Sequence, residues 1–254
     1  MAADYNFNYP LDLSKLQNVR IKLVPFDSNL PKYAYLYASK TASSEAGVAN
    51  FTYLPYGPFA SATDFLEWYV PAIQRQANVV WFAIMVRDGW RKAHDDDDAD
   101  DADDADPEGD FAGSIAYLNA DPANASCENG HLNIIPRYQR TFVNTHANGL
   151  LLHYMLDPPS QGGLGIRRMQ WFANAANERS QLAAKRLGFR LEGILRWHRV
   201  LPGHKEGVAG GEKDVDGNGP GDGRGSARHS ALLSLCWDDW REGGRERVAE
   251  LMAR

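Results

Sequence analysis

Apolar positions along the chain fall into stretches of strand length separated by longer segments with helical spacing. Strand-like runs occupy residues 19–26 (VRIKLVPF), 79–89 (VVWFAIMVRDG), 111–122 (FAGSIAYLNADP) and 127–135 (CENGHLNII, stopped by Pro136). Three more occupy residues 167–175 (RRMQWFANA), 189–200 (FRLEGILRWHRV) and 231–240 (ALLSLCWDDW). Helical spacing covers residues 29–40 and residues 60–76, where Ser61 or Thr63 can cap and Pro71 can kink. The clearest helix spans residues 141–156, with Val143, Ala147, Leu150, Leu151 and Tyr154 on one face, before DPPSQGGLG breaks it. A further helix is expected over residues 178–187, and a polar one near the C-terminus. This order predicts an α+β chain, with a mixed, mostly antiparallel twisted sheet flanked by helices.

Two low-complexity stretches interrupt the pattern. Residues 95–110 hold eleven acidic and no basic residues, and without them the formal charge of −6 becomes +5. The body is mildly basic, and a self-repelling acidic run decorates it. Residues 203–226 are Gly-rich and nearly free of apolar side chains. Within them DVDGNG matches the start of a calcium loop, but Gly225 stands where the bidentate Glu is needed, which excludes that ion there. Both stretches lie between strand-like runs and read as long hairpin inserts, at about 92–110 and 203–227, in a single domain covering residues 1–254.

Several function classes fall away. The opening residues lack the basic and apolar regions of a secretory signal, and no apolar run has the length of a membrane span. With only two cysteines, Cys127 and Cys236, a reduced cytoplasmic setting is expected rather than a disulfide framework. The histidines and cysteines show no paired metal-ligand spacing, and no basic stripe or aromatic reading motif suggests nucleic acid.

The stretch NERSQLAAKRLGFRLEG places small residues, Ser180, Ala183 and Ala184, at the start of a helix that ought to need bulk. Asn177 is a good cap and alanine the best helix former, so local stability alone accounts for the choice. A second account comes from likeness. Asn177, Ser180, Ala183, Gly188, Phe189, Glu192 and Gly193, with TYLPYGPF, AGSIAYLNADP, ENGH and PRYQRTFVNT upstream, resemble the GNAT superfamily of acetyl-CoA-dependent N-acyltransferases. Within it they resemble the branch that includes the ribosomal-protein alanine N-acetyltransferases. The likeness runs from about Val19 to Trp240, apart from the inserts.

The resemblance implies a site. The strand ending at Pro136 and that of residues 168–173 would splay apart and admit the pantetheine arm of acetyl-CoA, pairing near Ile134 and Ile135. The arm would pack on Asn177, Ser180 and Ala183, where bulk would take its place. The pyrophosphate would sit on Gln139, Arg140, Thr141, Phe142, Val143, Asn144 and Thr145, because a helix start offers backbone N–H donors to an anion. Family members commonly carry glycines where this chain has Phe142 and Asn144. For the chemistry, the resemblance suggests Glu128 as base, a backbone N–H near Ile134 as carbonyl donor, and Ser180 as donor to the leaving sulfur. The tyrosine commoner in that last role is replaced by Ala184, and a second glutamate seen in some relatives by Arg199.

Read without the resemblance, Glu128 can equally be a strand carboxylate bonded to a neighbour such as His131. Tyr53, Tyr56 and Phe59, in a Pro/Gly-fixed loop, border an acceptor pocket or form a core lid. A two-residue period puts Glu192, Arg196 and His198 on one strand face, either at the acceptor or in solvent. Near the C-terminus Arg228-His229-Ser230-Ala231-Leu232 stands where relatives often show Arg-Asp-Thr-Ala-Trp. Two function classes follow: an N-acetyltransferase acting on a primary amine of a small molecule or protein N-terminus by direct transfer, or a non-catalytic acyl-CoA-binding or protein-interaction module. Acetyl-CoA is the expected partner, with no metal, membrane or nucleic acid; the amine and the oligomeric state are left open.

Overall fold

The computed structural model describes residues 5–90, 108–202, 205, 207 and 227–254. Among these, seven strands form one sheet: β1 (Ile21–Pro25), β2 (Val80–Val86), β3 (Asp110–Asp121), β4 (Ser126–Ile134), β5 (Arg168–Asn174), β6 (Arg190–Val200) and β7 (Ala227–Cys236). Their order is β1-β2-β3-β4-β5-β7-β6. Every neighbouring pair is antiparallel except β4 and β5. The expected mostly antiparallel sheet flanked by helices is thus present. The expected inserts fall between β2 and β3 and between β6 and β7, each pair antiparallel neighbours; most of both lies outside the described residues.

β2 is buried along its whole length because helices cover both faces. Trp81 joins an aromatic cluster with Phe26, Tyr37, Phe65 and Tyr69, supplied largely by α1 (Leu30–Thr41) and α3 (Ala62–Tyr69). Phe82, one residue on, points the other way and meets Tyr117, whose hydroxyl donates to the Leu151 carbonyl of α4 (Phe142–Leu156) at 2.7 Å. The apolar alternation of strand and helix therefore resolves into three layers, with the sheet in the middle.

Local signals place the helix ends. Asn29 caps α1 and Ser61, rather than Thr63, caps α3. Pro71 leads α3 into a π turn over Val70–Gln74, since its missing N–H cannot continue the α ladder. A short α2 (Glu45–Ala49) carries too little periodicity to be read from sequence. α4 is buried almost all round, because α7 (Arg245–Met252) closes its outer side after α6 (Trp237–Asp239). Among the described residues no helix is long and apolar enough to cross a membrane.

One irregularity decides where a ligand can enter. The parallel ladder between β4 and β5 holds over three pairs, Ser126 with Arg168, Cys127 with Met169 and Glu128 with Gln170. Beyond them β4 continues to Ile134 beside β3, and β5 continues to Asn174 beside β7, but they no longer pair with each other. A bulge in β4 accompanies the parting, between the partners of Ser114 and Ala116, with His131 at φ 48°.

Candidate active site

A cavity of about 370 Å³ opens where the two strands part. Glu128, Gly130 and His131 of β4, Phe172 of β5, and Asn177, the cap of α5 (Glu178–Arg186), line it. Tyr53, Leu54, Arg199 and Arg228 line it as well.

Glu128 is 4% exposed, and its Oε2 accepts a 2.6 Å hydrogen bond from Asn119 Nδ2. Burial pushes its carboxyl up from 4.5 to about 7, while the Asn119 bond and the charges of Arg199 and Arg228 pull the other way. A carboxyl in that range can both hold and release a proton near neutrality. Gly130 makes room for it: a Cβ there would stand 2.4 Å from the Leu118 side chain and 3.3 Å from Glu128 Oε1. His131 is not the partner of Glu128. Its Nδ1 is hydrogen-bonded to the Tyr56 hydroxyl at 2.9 Å, and its ring stacks on Trp81 at 4.6 Å. Burial and the two arginines lower its pKa to about 3, so it stays neutral.

Ser180 lies one turn into α5. Its N–H donates to Asn177 Oδ1, and its Oγ accepts from Trp171 Nε1 of β5 at 2.9 Å. The indole N–H occupies an acceptor lone pair and leaves the hydroxyl proton for another partner. Ala183 is partly exposed, whereas Ala184 is fully buried. The small Ala184 therefore serves packing, and no room for a ligand is left beside it.

The backbone at the end of β4 differs from expectation at one position. The Ile135 N–H donates to the Ala112 carbonyl at 3.0 Å, so it belongs to the β3 ladder and is not free for a ligand. In an antiparallel ladder the preceding residue, Ile134, then turns its N–H and carbonyl away from β3, toward the gap. That carbonyl already accepts from Asn50 Nδ2 at 3.0 Å and Gln139 Nε2 at 3.2 Å.

α4 starts at Phe142, with Thr141 as cap and its Oγ1 accepting from the Val143 N–H. Arg140, at φ 59°, is exposed just before the cap. The Phe142 ring rests against Trp90 and His146, with the Arg20 guanidinium 5.5 Å from its centroid. Asn144 accepts from Asn148, and the buried Thr145 accepts from Arg186 at 2.8 Å.

The acceptor-side residues divide. Tyr53 lines the cavity, but Tyr56 and Phe59 are buried in the aromatic cluster with Phe51 and Trp68. They are core, because the loop turns them inward beneath His131. His198 is half-buried against Phe172, 5.0 Å between ring centroids, behind the cavity wall. Bulges between Leu191 and Gly193 and between Leu195 and Arg199 interrupt the alternation of β6, yet Glu192 and His198 both reach the sheet face that carries Arg168 and Phe172 of β5. Glu192 accepts from Arg168 and Ser234, which hold its carboxyl down to about 2.

Asn119, Trp171, Asn50 and the arginine pair escaped the sequence reading. Asn119 carried a faint signal: it sits at φ 49°, a left-handed conformation that asparagine tolerates better than most residues. Trp171 lies on β5 within the strand-like run, where an indole that needs a hydrogen-bond partner is itself a hint.

No protein-family model matches the chain, and no curated protein does. Solved structures do match. A GCN5-related N-acetyltransferase from Brucella melitensis aligns with a TM-score of 0.65 at 25% identity, over 93% of this chain and 84% of that one. A probable GNAT-family acetyltransferase from Chromobacterium violaceum ATCC 12472 gives 0.65 at 21%, covering 95% of each. RimJ from Mycobacterium smegmatis, in complex with CoA-disulfide, gives 0.57 at 14%, over 91% of this chain and 87% of that one. The chain has the fold of the GNAT acetyltransferases.

Proposed function

We propose that this chain transfers the acetyl group of acetyl-CoA to a primary amine, on a small molecule or a protein N-terminus, by direct transfer in a ternary complex. The observation that carries the reading is the cavity at the β4–β5 parting, with a buried carboxyl raised to about 7 in its wall. The likeness to acetyltransferases, one of them bound to a CoA derivative, supports it.

In this reading the pantetheine arm lies between β4 and β5 like an added strand, and meets Asn177, Ser180 and Ala183. The pyrophosphate takes N–H groups at the start of α4 other than that of Val143, which Thr141 Oγ1 already caps; the helix dipole favours an anion there, and Arg140 adds charge from outside. The Ile134 N–H polarises the thioester carbonyl. The amine nitrogen attacks that carbon, the N–C bond forms, and the C–S bond breaks. One proton passes from the amine to Glu128 and one from Ser180 to the departing sulfur; exchange with water restores both groups. Holding both substrates in one geometry supplies much of the rate.

The test is thiol release from acetyl-CoA over a panel of amines, beside a thermal-shift titration. A ligand that binds only the folded state raises Tm. A Tm rise with acetyl-CoA but no thiol release with any amine would replace the enzyme by a non-catalytic acyl-CoA-binding module.

Ser180→Ala should lower kcat by on the order of tenfold or more and leave acetyl-CoA affinity close to that of the unmodified protein, because a donor to the departing sulfur matters mainly in the transition state. Weaker acetyl-CoA binding with unchanged kcat would make Ser180 a contact of the arm only.

A further inference from the structure

Two guanidinium groups meet at the wall of the Glu128 cavity. Arg199 of β6 and Arg228 of β7 are register partners across the ladder, and both line the cavity. Arg228 is 7% exposed; its Nη1 donates to the Tyr53 carbonyl at 2.6 Å, and its Nε is buried without a hydrogen-bond partner. Among the described residues, neither arginine forms an ion pair. Packing two cations together with one of them buried is costly unless an opposite charge meets them. Glu128 acts on both from a distance but hydrogen-bonds Asn119 instead. Among the described residues the cavity lining therefore holds one carboxyl against two guanidiniums, and the charge that would balance them is negative.

Building on the acetyltransferase reading, we infer that the acceptor is a small amine that also carries a carboxylate, with its nitrogen at Glu128 and its carboxylate on Arg199 and Arg228. The planar guanidinium fork matches a carboxylate in two parallel hydrogen bonds, which a lysine pair would not. At about 370 Å³ the cavity is near the lower end for ligand pockets, which suits an acceptor of amino-acid size. Leu54, Pro55 and Phe172 supply an apolar wall for a side chain. A polycationic amine would bring like charge to the arginines and is selected against.

The experiment compares matched acceptors at saturating acetyl-CoA: leucine, leucinamide, phosphoethanolamine and spermidine. Leucine is expected to exceed leucinamide and spermidine at least tenfold in kcat/KM. Arg199→Gln, an exposed position, should raise KM for leucine at least tenfold with a smaller change in kcat, and bring the leucine-to-leucinamide ratio toward one. Arg228→Gln should act in the same direction, and the Arg199 variant serves alone where Arg228→Gln does not fold. Equal use of leucinamide or spermidine, preference for phosphoethanolamine, or a ratio unmoved by both substitutions overturns the inference. Turnover of no amine at all sinks the acetyltransferase reading instead. Equilibrium binding of N-acetylleucine then decides for this site: binding that Arg199→Gln weakens tenfold keeps the inference, and no binding to the unmodified protein overturns it.

Discussion

Glu128→Gln should lower turnover by on the order of 10²–10⁴-fold, the usual contribution of a general base. The deficit should shrink as pH rises, since more of the amine is then already deprotonated. In the unmodified protein kcat/KM should climb with pH through a shoulder near 7, where this carboxyl loses its proton, and the variant should lack that shoulder. Stability should move the opposite way. A carboxyl whose pKa is raised on folding leaves the native state holding a proton that the unfolded chain has lost. Its contribution is therefore full below about 4.5 and is lost as pH rises through about 7. Glutamine has no charge to desolvate, so above pH 7 the variant should be the more stable protein, by at most roughly 3 kcal/mol. Melting curves at pH 5 and pH 8 check the sign: the advantage of the Glu128→Gln variant should appear at pH 8 and fade at pH 5. Equal turnover with a lower Tm at both would make Glu128 structural.

Ala183→Trp should weaken acetyl-CoA binding by on the order of a hundredfold or more, because an indole would fill the volume assigned to the pantetheine arm. Ala183 is partly exposed, unlike Ala184, so the larger ring need not enter the core and Tm should change by only a few degrees. Titration of the folded variant with acetyl-CoA measures it. Unchanged affinity would move the arm away from α5.

Sequence periodicity was strong enough to locate six strands closely and the helices α1, α3, α4 and α5; the seventh strand, expected over residues 231–240, is β7 at Ala227–Cys236, and Trp237–Asp239 turn into α6 because Asp239 caps the Cys236 N–H. In β1 to β5, β7 and the helices α1, α3 and α4, buried positions recur along the element, whereas β6 buries none of its residues and α5 only Ala184. What it could not carry was direction at single residues. Tyr56 and Phe59 belong to an aromatic loop by composition, and only the fold decides that both turn inward. The roles of Ile134 and Ile135 depend on the phase of one ladder, which a single hydrogen bond to Ala112 sets. On β6 two bulges interrupt the alternation, and the partners of Glu192 and His198, Arg168 and Phe172, lie on a strand that sequence spacing does not connect to them. Asn119 reaches Glu128 through the left-handed turn of its own backbone, and Arg199 and Arg228 come together only when β6 folds back on β7. Residues that act through neighbours distant in sequence leave no spacing to read.

The three residue pairs that join β4 to β5 also make a line of low stiffness through the sheet. Four strands lie on one side of it and three on the other, and among the described residues no ladder pair joins β4 to β5 beyond Glu128. Seams with few cross-links open locally at lower free energy than the strands they separate. A ligand that bridges such a line restores the missing cross-links and suppresses those openings. Saturating acetyl-CoA should therefore slow amide deuterium exchange along residues 129–134 of β4 and at the start of α5, while β1 and β2, already enclosed, exchange at their former rates.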